Sequence, residues 1–223
     1  MAEDRLKIPE AIDFTVDGKP FTLTFYEFAK YVLGYDRLGE EHERWIDNLI
    51  DAVNVRGLHK ILLLKPRGTF KSSVYSICFP LWMHFNNPNL RILISNAIQE
   101  NSEKFMAEQV GNYLRNEKLA WLYKHARNEP IPVNPRKSLV SSLRLTNCKK
   151  IQKEPNLVCT GAGSSIVSSH YDIILVDDLV DGSDRRSPAV REAKKHWFQD
   201  LAALLDPGGL LLLVGTRWSA DDV

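Results

Sequence analysis

The sequence lacks any apolar run near the ~18 residues that a membrane span needs. Its longest, Leu210 to Val214, has the size of a strand. The N-terminal segment MAEDRLKIPE is charged and carries no signal-peptide core, so the chain is expected to be soluble and cytosolic. Cysteine is scarce: Cys78, Cys148 and Cys159 are odd in number and not in CxxC spacing, which excludes a disulfide scaffold and predicts reduced thiols. The six histidines show no metal-binding spacing. There is no excess of one charge, with 29 basic against 28 acidic side chains and a net charge of +1. That balance leaves nucleic-acid binding to local basic patches. Internal repeats and low-complexity tracts are also missing.

What remains is 223 residues of ordinary globular composition, 44% hydrophobic and 26% charged. The length suits one large domain, or one domain with an extension. Residues 1–37 read as an N-terminal extension packing on the core. Phe14-Thr15-Val16 and Phe21-Thr22-Leu23 flank a hairpin turn at Asp17-Gly18, with Pro20 weakening the second strand. A short helix over Phe25 to Leu33 is closed by Gly34. A second, over Glu40 to Val55, carries Trp45, Leu49, Ala52 and Val53 on one side.

From Lys60 short apolar runs alternate with helical stretches. Ile61 to Leu64, Arg91 to Ile94, Asp172 to Leu179 and Leu210 to Val214 read as buried strands, and Leu143 to Leu145 and Leu157 to Cys159 as half-exposed ones. Lys71 to Phe85 reads as a helix kinked at Pro80. Ala97 to Leu114 is amphipathic with Asn96 as its cap, and 115–138 is a short helix plus loop. Ser187-Pro188 opens a helix with Val190, Ala193, Trp197, Leu201 and Leu204 on one face. The alternation predicts an α/β fold with a mainly parallel sheet flanked by helices.

Two segments carry chemistry. In Ile61 to Ser73 a strand runs through Lys65-Pro66-Arg67-Gly68-Thr69-Phe70 into Lys71-Ser72-Ser73 at a helix start. Unpaired N–H groups and the helix dipole attract phosphate there. Lys71 would reach the β- and γ-phosphates, and the Ser72 hydroxyl would ligate Mg²⁺. The strict pattern G-x-x-x-x-G-K-S/T is not met, since Lys65 and Phe70 stand at its glycine positions. The second segment, Tyr171 to Asp178, is an apolar strand ending in paired carboxylates. In nucleotide hydrolases the first holds Mg²⁺ and the second polarises the attacking water. A solvated turn is the plainer alternative. A calcium loop through Asp177, Asp181 and Asp184 fails, because Pro188 falls where a bidentate glutamate is needed.

A third segment, Leu210 to Asp222, runs from a strand into Thr216-Arg217-Trp218 and acids. KPRGTFKSS, SSHYDIILVDDLVDGSDRRSP, a helix with Lys-Lys-His-Trp-Phe, and LVGTRWSADDV follow in that order. Together they resemble the large terminase subunit of tailed bacteriophages, from about Glu40 to Val223. The resemblance implies a RecA-like, additional-strand P-loop ATPase domain over 38–223. It would use ATP and Mg²⁺ to drive double-stranded DNA into a procapsid in the host cytoplasm. Implied partners are a portal protein, a small terminase subunit and further copies in a ring, a pentamer by analogy.

By motif position the resemblance makes Lys71 and Ser72 the phosphate and magnesium residues, within a nucleotide loop from Lys65 to Ser73. Asp177 becomes the magnesium acid, Asp178 the catalytic carboxylate, Arg67 the γ-phosphate arginine and Thr216 the coupling residue. His42 and Trp45 fall at the family's adenine segment. The family's nuclease domain is expected to be absent, since the chain ends five residues after Trp218. Arg144 is a candidate arginine finger acting on a neighbouring subunit, with a solvated strand arginine as the alternative. Arg136-Lys137 and Lys149-Lys150 are candidate DNA contacts or solvated charges, and Arg185-Arg186 candidate contacts to DNA or a neighbouring subunit, or a solvated turn. Trp197 and Trp218 read as core. A helicase-like ATPase and a nucleotide-binding module without turnover remain as other functions.

Overall fold

The computed structural model describes residues 5–134, 141–164, 169–180 and 187–216. Strands β1 (Ala11–Val16) and β2 (Lys19–Thr24) form an antiparallel hairpin. Its turn uses Asp17 at φ 50° and Gly18 at φ 77°. Left-handed backbone at both positions matches the twist of the strands, and Asp-Gly supplies it at little cost. Thr24 and Glu27 close a capping box at the start of α1 (Phe25–Glu27), a T-x-x-E signal that the sequence carried openly. A π-helical turn over Phe28–Val32 follows, then Gly34 at φ 81°. Phe25 and Phe28 lie on the Trp82 ring, at 5.8 and 5.2 Å between centroids, which fixes the extension to the core.

The amphipathic α2 (Glu40–Asn54) buries Trp45, Ile46, Leu49 and Val53. The main sheet has six strands in the order β3-β8-β7-β4-β6-β5. They are β3 (Lys60–Leu64), β4 (Ile92–Asn96), β5 (Ser142–Leu143), β6 (Leu157–Gly161), β7 (Tyr171–Asp177) and β8 (Leu205–Gly215). All neighbours are parallel except β5, which runs antiparallel to β6. This is the expected mixed α/β sheet. β8 lies between β3 and β7, so the ends of the first and the acidic strands face each other across it.

Several strand expectations need correction. β3 is not buried: it is an edge strand, with Leu62 and Leu64 about half exposed. An uninterrupted Ile-Leu-Leu-Leu run does not say which strand will lie beside it. β6 is almost fully buried rather than half exposed. β8 begins at Leu205, ahead of Leu210, and a register shift against β7 accommodates Pro207-Gly208-Gly209.

The helix after β3 is π-helical over Ser73–Cys78 and continues as α3 (Phe79–Asn86). Pro80 cannot donate to the carbonyl one turn earlier. The freed carbonyls of Ser76 and Ile77 instead accept the buried Gln109 amide at 3.0 and 3.1 Å. Gln109 belongs to α4 (Gln99–Arg115). Asn96 is not the cap of α4; its Oδ1 accepts the Ile98 N–H at 2.9 Å in the turn before it. Asn116 caps α5 (Glu117–Leu122), and a π-helical turn over Tyr123–Arg127 ends at Asn128 with φ 54°. Ser187 caps α6 (Pro188–Ala202) as expected. Its apolar face is narrower than expected: Leu201 is buried, Trp197 and Phe198 are both half-buried against the same cluster, and Val190 is exposed. Leu204 lies beyond the helix. Cys78 and Cys159 are buried and Cys148 half-buried, all as free thiols.

Candidate active site

The phosphate-loop candidate leaves the C-terminal end of β3 and turns back into the helix that covers the sheet. Two residues make the turn with left-handed backbone, Gly68 at φ 73° and Phe70 at φ 58°. Phe70 thus adopts the conformation usually supplied by glycine at the place where the strict motif has one. The cost of a non-glycine residue there is about 1–2 kcal/mol, and the ring contacts offset it. His42 stands edge-on to Phe70 at 6.0 Å, and the Arg37 guanidinium lies over the same Phe70 ring, 5.1 Å from its centroid. His42 Nδ1 accepts the Gly39 N–H at 3.1 Å, which places the ring proton on Nε2, 3.1 Å from the Thr69 carbonyl it donates to. The segment read as an adenine site therefore braces the loop directly.

Within the loop, Thr69 Oγ1 donates to the Pro66 carbonyl at 2.7 Å. Arg67 and Gly68 are exposed. Lys65 sits over the Trp45 ring, 4.2 Å from its centroid, and burial lowers its pKa. Its charge is engaged by an aromatic face.

Lys71 is buried, and its Nζ meets Asp178 Oδ2 at 3.0 Å. Asp177 and Asp178 leave the end of β7, with Asp178 at φ 46°. The turn is held by the Asp178 N–H on the Val214 carbonyl at 2.8 Å and by the Asn96 amide on the Asp177 carbonyl at 2.8 Å. The Asp177 side chain is wholly buried, and Ser76 Oγ donates to its Oδ2 at 2.8 Å. Burial is the main cause that pushes Asp177 up to about 6, with the neighbouring Asp178 charge adding; the Ser72 and Ser76 hydroxyls and Lys71 act against it. Asp177 Oδ1 and Asp178 Oδ1 are both buried without a hydrogen-bond partner. Two unpaired carboxylate oxygens beside a serine hydroxyl form a donor set suited to a hard divalent cation. Among the described residues no cluster of three or more His, Cys, Asp or Glu is placed for a metal; a magnesium ion with phosphate and water ligands does not need one.

The third strand joins this cluster. Lys65 N–H donates to the Gly215 carbonyl at 3.0 Å, and Thr216 Oγ1 donates to the Lys65 carbonyl at 3.2 Å. Thr216 thereby ties the end of β8 to the start of the loop. A shallow groove beside Asp178 and Thr216 is walled by Leu62, Leu64, Leu179 and Leu213.

The structure thus brings Lys65 to Ser73, Asp177, Asp178 and Thr216 to one end of the sheet. It does not bring Arg144 there. Arg144 follows β5 at the opposite edge, and its guanidinium donates to the carbonyls of Gln152 and Lys153. Those bonds tie down its own loop. Ser76, Asn96 and Arg37 were missed. Ser76 was legible, four residues after Ser72 on the same helical face. Arg136, Lys137, Asp181, Asp184, Arg185, Arg186, Arg217, Trp218, Asp221 and Asp222 lie outside the described residues.

No protein-family model matches the chain, and no curated protein matches it by sequence. Among solved structures it is similar to the crystal structure of the HK97 bacteriophage large terminase, with a TM-score of 0.51 and 16% sequence identity. The match covers 81% of this chain and 33% of the terminase, so the chain spans about a third of that protein's length. A likeness at this identity concerns the fold: the chain has a terminase-like α/β fold.

Proposed function

We propose that this chain is the ATPase engine of a viral DNA-packaging motor, a RecA-like additional-strand P-loop enzyme over 38–223. The observation that carries the reading is the buried Lys71 ammonium held 3.0 Å from Asp178, beside the buried Asp177, across strands β3, β8 and β7. A lysine at a loop–helix junction aimed at two strand-end carboxylates is a phosphoryl-transfer arrangement.

In this reading Lys71 leaves Asp178 for the β- and γ-phosphates of ATP, and the exposed Arg67 adds charge at the γ-phosphate. The loop from Lys65 to Ser73 cradles the phosphates with its backbone N–H groups. Ser72 and the unpaired Oδ1 of Asp177 would hold Mg²⁺, which when bound neutralises charge on the phosphates. Asp178, relieved of Lys71, turns its carboxylate to the attacking water and takes up its proton. Thr216, bonded to the Lys65 carbonyl, passes the change at the loop to β8. The partners carried by this reading are duplex DNA, a portal protein, a small subunit and further copies in a ring, in the host cytoplasm.

The test is steady-state phosphate release from ATP with Mg²⁺. Turnover abolished in Lys71→Ala, with the fold intact by circular dichroism, is the expected result. Unchanged turnover in that variant would remove the phosphate-loop assignment. A wild-type chain that binds ATP without turnover would leave only a nucleotide-binding module.

A further inference from the structure

The sheet edge farthest from the phosphate loop carries a second construction. It lies five strand spacings from β3, about 24 Å at ~4.8 Å each. There the chain from Arg144 to Asn156 returns to β6 as a loop held at several points. Arg144 fastens the carbonyls of Gln152 and Lys153. Asn89 Oδ1 accepts the N–H groups of both Lys149 and Lys150, at 2.8 and 3.0 Å. The Asn147 amide donates to Glu129 at 2.8 Å. The buried Asn156 closes the base, taking the Leu145 N–H at 2.9 Å and donating to the Pro88 carbonyl at 2.7 Å.

This scaffold presents Lys149, Lys150, Ile151 and Lys153 to solvent, with Ile151 fully exposed at the tip. Residues 144–154 hold four basic side chains and one acid, Glu154, in a chain whose totals are 29 and 28. Glu154 is itself buried. The loop's own residues therefore carry a net charge of +3 on a nearly neutral protein, with Glu129 the acid that meets it at Asn147.

We infer that loop 148–153 docks on the sugar–phosphate backbone of a nucleic-acid duplex; the inference rests on the duplex-DNA part of the function proposed above. Lysine ammonium groups act as point charges suited to evenly spaced phosphates. Their backbone is already ordered by Asn89 and Arg144, so binding orders only side chains. A single-stranded partner would call for aromatic stacking platforms, and residues 144–154 contain no aromatic side chain. A protein partner would call for an apolar core poor in lysine, and Ile151 is the one large exposed apolar side chain of this loop. One isoleucine is equally too little to hold a membrane surface.

The test uses fluorescence anisotropy of a labelled 30-base-pair duplex, a single strand of equal length, and titration with anionic vesicles. The variants are Lys149→Ala/Lys150→Ala/Lys153→Ala and the matching triple arginine substitution. The alanine variant is expected to lose at least tenfold in duplex affinity at ~0.15 M salt, and its log–log salt slope should fall by about 2.7, at 0.9 per lost contact. The arginine variant should restore binding, and a fluorescent ATP analogue should bind all forms equally. Unchanged duplex affinity and slope in the alanine variant would overturn the inference. So would no duplex binding by the wild-type chain, or tighter binding to single strand or vesicles. Failure of ATP turnover with duplex binding still lost in the alanine variant would refute the ATPase reading and leave the loop assignment standing.

Discussion

Replacing Asp178 by asparagine neutralises the carboxylate that holds the Lys71 ammonium at 3.0 Å and hardly changes side-chain size. In the proposed mechanism that ion pair competes with phosphate for the same lysine. A charge-assisted hydrogen bond of this kind is worth about 1.5–3 kcal/mol when shielded. The Lys71 side chain is 7% exposed and that of Asp178 40%, so solvent screening reduces the pair to about 1–1.5 kcal/mol. Asp178→Asn should therefore bind ATP about five- to tenfold more tightly. It should also hydrolyse ATP at least about 100-fold more slowly, because the group proposed to take the proton from water is gone. The buried Lys71 loses its counter-charge and keeps a neutral acceptor, a cost of about 1 kcal/mol, or roughly 2–4 °C in Tm for a chain of this size. Isothermal titration with ATP, a phosphate-release assay and a thermal melt measure the three effects. Weaker ATP binding together with preserved turnover would refute the reasoning.

The remaining predictions concern the frame around the site. Arg91 donates to both carboxylate oxygens of Asp172, at 3.0 and 2.8 Å, and also contacts Asp206. Arg91→Met leaves two acids facing each other at the far end of the sheet and should cost about 2–3 kcal/mol in urea unfolding; a loss under about 0.5 would show the triad to be idle. His84 is buried with Nε2 on the carbonyls of Leu90 and Asn156, and burial lowers its pKa to about 4 from 6.5. Its depressed value gives stability that is full above pH 6.5 and is lost as pH falls towards 4, on the order of 3 kcal/mol. Asp177, raised to about 6, works in the opposite sense over the same window. His84→Gln should thus flatten the acid limb of the stability profile, and an unchanged limb would contradict the assignment. Leu62 and Leu64, about half exposed on edge strand β3, should drive self-association. Leu62→Lys with Leu64→Lys should lower light scattering without lowering Tm.

Local chemistry was legible in the sequence wherever one residue type has one use. Asp17-Gly18 announced its turn, Ser187-Pro188 its helix start, and Lys71-Ser72 with Asp177-Asp178 the ends of their elements. Neighbour relations were not legible. Leu62 reads as core because nothing within Ile61 to Leu64 says that β8 lies on one side and solvent on the other. The π-helical turn before α3 depends on Gln109, over thirty residues away in the chain, reaching carbonyls that Pro80 leaves free. Arg144 precedes the acidic strand in sequence and lies at the opposite sheet edge in space, because β6 and β4 come between. Phe70 marked a departure from the glycine pattern; only the folded chain shows that it keeps the glycine conformation and is held by His42 and Arg37.

The central claim is that Lys71 exchanges Asp178 for phosphate. A crystal structure of the chain with Mg²⁺ and a non-hydrolysable ATP analogue tests it most directly. Lys71 Nζ is expected on the β- and γ-phosphate oxygens, the cation on Ser72 and Asp177 Oδ1, and Asp178 freed towards water. An intact Lys71–Asp178 pair with the nucleotide bound elsewhere would contradict it.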